Sequence, residues 1–342
     1  MKPSLLTALL LCLSSLRVDA EVVRHQFDEN VSFQAVSWHG SRVVATGTQG
    51  GIYVSEDNGA HWQKITPLAG TDNRQFRDNQ LLPDGRLLVM SAGKGADSGV
   101  FLSDTAIFPA GTSEPGWQQV AEGDTPEAFF DCFYMAGSQH GWLYGDSDEK
   151  GLFILNTTDG GTTWQRTPMP FTAEKGEGGF ASSGTCINGQ GGTVIAGTGN
   201  SAAPRILLLK EGNWQSIGSP FKGGEASGIF SLQLTGQHVY AAGGSLMDAA
   251  SSATAMIYDL NAERWTALPA LPLHGAVYGS ALLPAGEDHS YWISNPEGVA
   301  MLKPWAGNWE IISRSNIWSL ACQTGKGCIG VGKNGIIEIY PE

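Results

Sequence analysis

The most suggestive grouping for chemistry is Gly197-Thr198-Gly199-Asn200-Ser201-Ala202, which has the Gly-x-Gly-x-x-Ala form of a dinucleotide-binding turn. Such a turn needs a helix after it, because the helix N-terminus holds the pyrophosphate. Pro204-Arg205-Ile206-Leu207-Leu208-Leu209 follows instead and reads as a strand, so the glycines read as a turn between strands. The seven histidines, at 25, 39, 61, 140, 238, 274 and 289, are scattered and form no His-Glu-x-x-His or His-x-His. Asp146-Ser147-Asp148 would suit a weak cation site at best. No Gly-x-Ser-x-Gly is present for a serine nucleophile, and Ser182-Ser183-Gly184 reads as the small-residue start of a strand near a central channel. No Cys-x-x-Cys or zinc-ligand spacing occurs. The expectation is no metal, no cofactor and no catalytic residue.

Elements that position side chains are more legible. Ser55-Glu56-Asp57-Asn58-Gly59-Ala60-His61-Trp62 and Thr157-Thr158-Asp159-Gly160-Gly161-Thr162-Thr163-Trp164 share the pattern Ser/Thr-x-Asp-x-Gly-x-x-Trp. The hydroxyl and carboxylate (Ser55 and Asp57, Thr157 and Asp159) are suited to hold turn amides. Gly59 and Gly161 permit positive φ. Trp62 and Trp164 return on the next strand to cover the turn. The pattern resembles the Asp-box, or BNR, hairpin of β-propellers, which braces architecture rather than carrying out a reaction.

The rest of the chain repeats in the same phase. Trp62, Trp117, Trp164, Trp214, Trp265 and Trp309 are spaced by 55, 47, 50, 51 and 44 residues, the period of a propeller blade. Phe33, Phe76, Phe130, Phe180, Phe230, Tyr278 and Trp318 each begin an apolar run, and seven such starts predict seven blades. The 46 glycines and many short apolar runs between turn clusters predict an all-β chain. The predicted blades are approximately 33–66, 76–120, 129–167, 180–217, 229–268, 276–312 and 316–340. The last lacks a fourth strand, so residues 22–27 are expected to supply it and close a single seven-bladed β-propeller over 21–342.

Residues 1–20 read as a signal peptide: Lys2, the apolar run Leu5 to Leu13, and Val18-Asp19-Ala20 before the cleavage point. Cleavage leaves 18 basic and 32 acidic residues, a net charge of −14. Such a surface disfavours nucleic acid. Export, to the periplasm or beyond, fits a disulfide between Cys322 and Cys328 across the hairpin Gln323 to Gly327. Cys132 and Cys186 either pair or stay buried as thiols.

A wider resemblance rests on Phe76-Arg77-Asp78, Ala128-Phe129-Phe130-Asp131, Gly145-Asp146, the stretch Gly176-Glu177-Gly178-Gly179-Phe180-Ala181-Ser182-Ser183-Gly184-Thr185-Cys186, Gly197-Thr198-Gly199 with Arg205, and Ser227 to Leu232. The chain is similar in these places to BNR-repeat bacterial proteins related to the photosystem II stability/assembly factor family, in a non-photosynthetic branch often labelled oxidoreductase. The resemblance implies a WD40-like propeller that binds other proteins while a membrane complex assembles, here a protein or peptide of the cell envelope, with the propeller itself a monomer.

Propeller geometry separates the hairpins joining strands three and four from the loops joining strands two and three and those entering strand one. The second set is longer, including 91–99, 146–150, 198–205 and 243–255, and is expected to carry recognition. Arg77, Asp78, Asp131, Asp146, Glu177, Ser183, Arg205 and Tyr278 are the candidate binding residues on that face. Interblade pairs Arg77–Asp131 or Arg205–Glu177 are the structural alternative, and the strand-start aromatics are expected to be core. Because sialidases also carry these boxes, a glycoside hydrolase is the catalytic alternative. It would grip a carboxylate with three arginines, for which Arg77, Arg205 and Arg314 are available.

Overall fold

The computed structural model describes residues 21–66, 68–109, 111 and 114–342. The expected signal peptide therefore lies outside the described residues. Among the described residues, twenty-eight strands form seven antiparallel four-stranded sheets, the blades of a β-propeller. Six blades use four consecutive strands. The seventh takes its outermost strand, Val23–Gln26, from the N-terminus, paired with Ile336–Tyr340.

Burial follows position within a blade. Middle strands such as Leu87–Ser91, Gly99–Ser103 and Gly298–Leu302 are buried at every residue, because both faces of each sheet pack on neighbouring blades. The outer strand Asn213–Gly218 has no buried residue. Cores accordingly lie between blades: Val44, Ile52 and Val54 of the first meet Phe76, Leu87 and Val89 of the second.

Inner strands of adjacent blades pack together without forming a shared sheet, so their backbone polar groups need other partners. Side chains supply them. Asp78 accepts from the Phe133 amide at 2.8 Å, and Gln80 bonds both the amide and the carbonyl of Met135. Further round, Thr185, Ser231 and Ser280 form a hydroxyl chain joining blades four, five and six.

The two Ser/Thr-x-Asp-x-Gly-x-x-Trp turns each connect the third and fourth strands of a blade. Ser55 Oγ donates to Asp57 Oδ1 at 2.8 Å and accepts from the Gly59 amide at 2.9 Å. The His61 amide donates to Asp57 and Trp62 Nε1 donates to the Gly59 carbonyl, both at 2.8 Å. Thr157, Asp159, Gly161, Thr163 and Trp164 repeat the arrangement at 2.8–3.0 Å. The other tryptophans in phase behave differently. Trp117, Trp265 and Trp309 donate to Thr66, Gly218 and Pro269, carbonyls at the outer edge of the preceding blade. Without the local turn, the indole N–H finds its partner across the blade interface.

One strand start is corrected. Phe180 does not begin a strand; the inner strand of blade four is Ile187–Gln190. The residues before it form a loop whose shape depends on contacts far along the chain. A Cβ at Gly178 would come within 1.9 Å of Asp146 Oδ1, and one at Gly184 within 2.4 Å of Asp78 Oδ1, so the loop closes on both carboxylates only with glycine there.

Candidate functional site

The loop of residues 178–185 spans the propeller axis, because it touches five other blades. Arg77 of blade two donates to the Ala181 carbonyl at 3.0 Å. The Gly179 amide donates to Asp131 of blade three at 2.9 Å. Phe180 stacks on Phe230 of blade five, with ring centroids 3.6 Å apart and planes 2° apart. Ser182 and Ser183 hydroxyls donate to the Tyr278 carbonyl at the entry to blade six, and Ser319 of blade seven donates to the Ser183 carbonyl. Cys186, at the end of the loop, is disulfide-bonded to Cys132 on the inner strand of blade three. Cys322 and Cys328 are also bonded, across a hairpin.

Above this loop, on the face of the long loops, lies a cavity of about 400 Å³. Arg77, Asp131 and Asp146 give it charge; Phe180, Tyr278 and Trp318 give it aromatic walls. Leu246, 46 % exposed, lies at its edge, followed by Met247, 69 % exposed. A second cleft of about 1320 Å³ shares Asp146 as a wall and runs along residues 124–128, 146–153 and 169–176.

Of the eight candidate binding residues, Arg77, Asp131, Asp146 and Tyr278 line the cavity. The other four are not among its lining. Asp78 is buried against Phe133 and the Gly184 backbone, and burial pushes its carboxyl well above the usual range. Ser183 is buried and bonded to Tyr278. Glu177 is fully buried and receives Arg205 Nε and Nη2 at 2.7 and 2.8 Å. Arg205 also reaches the Thr172 carbonyl and lies over the Phe171 ring. This pair ties the start of the axial loop to the third strand of its own blade, so it is not an interblade tie. Arg77 donates to Gln75 and Ala181 instead of closing an ion pair with Asp131.

Of the three arginines proposed for a carboxylate grip, Arg77 alone lines the cavity. Arg205 is committed to Glu177, and Arg314 is exposed outside the cavity's lining. Nor do Asp146 and Asp148 converge as a cation pair: Asp148 accepts two bonds from Arg166, both 2.9 Å. Among the described residues no group of three His, Cys, Asp or Glu is placed to hold a metal. The turn after Gly197 leads into the strand Arg205–Lys210, as its sequence implies.

The aromatic walls are the part that residue type concealed. Phe180, Tyr278 and Trp318 share the repeat phase of the core residues Phe33, Phe76 and Phe130, and were expected to be core with them. Phe180 lines the cavity from the axial loop, Tyr278 from just before the strand Gly279–Ala285, and Trp318 from within the strand Ile317–Gln323. Leu246 and Met247 carried a usable signal: two apolar side chains inside a long loop otherwise rich in Gly, Ser, Ala and Asp.

Asp131 and Asp146 share a poorly hydrated site. Burial raises Asp131 well above the usual carboxylate range, with the Asp146 charge adding to it and Arg77 opposing. Burial raises Asp146 to about 6, and no hydrogen bond within the described residues reaches its carboxylate. A carboxyl held higher in the folded than in the unfolded chain contributes stability that is present below pH 3.8 and is lost as pH rises through about 6. Asp146→Asn is therefore expected to leave stability unchanged near pH 4. At pH 8 it should raise stability by about 2 kcal/mol, read as a thermal midpoint a few degrees higher. Equal midpoints for the two proteins at pH 8 would show that water reaches Asp146 freely.

No protein-family model and no curated protein matches the sequence. Solved structures do match its fold. YCF48 bound to a D1 peptide is 10 % identical with a TM-score of 0.62, over 94 % of this chain and 97 % of that one. YCF48 from Cyanidioschyzon merolae is 9 % identical with a TM-score of 0.65, over 94 % and 99 %. The WD40 propeller domain of Doa1 is 12 % identical with a TM-score of 0.60, over 93 % and 95 %. At such identities the likeness is one of fold.

Proposed function

We propose that this protein is an exported, non-catalytic propeller that binds a polypeptide of the cell envelope on its long-loop face, as an assembly or stability factor. The observation that carries the reading is the central cavity. It has a bonded floor, aromatic walls and titratable groups, and it adjoins a larger cleft. A propeller of the same fold, YCF48, has been solved with a D1 peptide bound. Residues 1–20 direct export in this reading, the N-terminal strand closes the ring against Ile336–Tyr340, and the two Asp-box turns brace the far face.

Lysine cross-linking in cells, read by mass spectrometry, tests the proposal. Lys94, Lys150 and Lys175 lie in the long loops, whereas Lys210, Lys303 and Lys326 lie on turns of the opposite face. Cross-links to one recurring envelope protein are expected at the first three. Their concentration at the second three would move the binding face to the hairpin side. Turnover of a glycoside by the purified protein, lost in Arg77→Ala, would overturn the non-catalytic reading.

A further inference from the structure

Resting on that polypeptide-binding reading, we infer that the bound segment is basic, and that one of its lysine or arginine side chains enters the central cavity between the Asp146 carboxylate and the Tyr278 and Trp318 rings. Three separate features favour a cation there.

The first is unmatched charge. Arg77 opposes the Asp131 carboxylate, which also accepts the Gly179 amide. Asp146 has no such compensation: it lies against the Gly178 backbone with no hydrogen-bond donor from the described residues. A half-buried carboxylate without a donor costs stability unless something supplies the missing partner. A ligand ammonium or guanidinium does so with a charge-assisted hydrogen bond.

The second is the wall opposite. Tyr278 and Trp318 meet edge to face, with centroids 5.8 Å apart, and Phe180 is stacked on Phe230. Aromatic faces attract a cation through their quadrupole, and most strongly where water is excluded. The aliphatic stem of a lysine or arginine also buries well against such rings.

The third is the adjoining cleft. Asp146 is shared by both spaces, so a chain lying in the cleft passes the cavity mouth. Asp124, Glu127, Glu149 and Glu174 line the cleft and are exposed, against Lys150 and Lys175. An acidic segment would meet net repulsion there. Arg77, the cationic side chain lining the cavity among the described residues, is already bonded to Gln75 and Ala181.

Fluorescence anisotropy of the processed chain with octapeptide libraries, each fixed at a central Lys, Arg, Gln or Glu, tests this. The Lys or Arg libraries are expected to bind about tenfold more tightly than the Gln library. Asp146→Asn should abolish that preference, and its thermal midpoint reports that it is folded. Equal or tighter binding of the Gln or Glu library, or a Lys preference that survives in Asp146→Asn, would overturn the basic-segment inference and leave polypeptide binding standing. Failure of every library to bind would overturn both.

Discussion

Arg205→Ala is expected to destabilise the protein by about 3–5 kcal/mol, more than any other single substitution considered for this face. Glu177 is fully buried, and Arg205 supplies two of its hydrogen bonds. Removing the guanidinium leaves a carboxylate away from water with only the Glu174 amide as a partner. The opposite truncation, Glu177→Ala, should cost less. The arginine left behind is 17 % exposed and keeps the Thr172 carbonyl and the Phe171 ring. Urea unfolding at pH 7 of both variants and their combination checks the asymmetry. The double variant should be more stable than Arg205→Ala and lie closer to Glu177→Ala, since it no longer buries an unpaired carboxylate. A cost below about 1 kcal/mol for Arg205→Ala would place the pair in the class of solvated surface bridges.

The second large effect concerns the two disulfides, which should be unequal. Cys132–Cys186 closes a separation of 54 residues and Cys322–Cys328 one of 6. A cross-link restricts the unfolded chain more when the loop is longer, which predicts about 4 kcal/mol for the first and about 2 kcal/mol for the second. The first also joins blade three to the axial loop, so its loss should loosen the cavity floor. Replacing Cys132 and Cys186 together by Ser, and separately Cys322 and Cys328, allows comparison of urea midpoints. Faster amide exchange across residues 178–185 is expected in the first variant alone. Equal losses in the two variants would show that loop length is not the governing factor.

These expectations concern residues whose roles became visible to different degrees. Glu177 and Arg205 read from the sequence as a possible interblade pair, and they do bond, but within one blade. Asp78 and Ser183 have the residue types of a polar mouth, yet both are consumed by backbone groups of other blades. Their partners, Phe133 and Tyr278, lie 55 and 95 residues away. Phe180 illustrates the reverse problem. Its aromatic type and phase fit a strand start, and Ser182-Ser183-Gly184 after it reads as one too, yet Gly178 and Gly184 flank it in a loop. Their reason for being glycine is carboxylates from two other blades. The lesson is that repeat phase identifies where an element falls, while the role of its side chain depends on which distant group it meets.

Composition and spacing alone determined the all-β class, the blade number and the two braced turns, because their causes are local. A Ser or Thr, an Asp, a Gly and a Trp within eight residues bond to one another whatever the rest of the chain does, and alternating turn clusters and apolar runs impose short strands. Tertiary structure alone decided that Arg77, Asp131 and Asp146 share a cavity, that Cys186 bonds to Cys132, and that residues 178–185 cross the axis. Each of these depends on ring closure, which brings inner strands from successive blades around one point. Whether a carboxylate there is hydrated, bonded or left without a partner follows from that convergence, and no neighbouring residue in the chain encodes it.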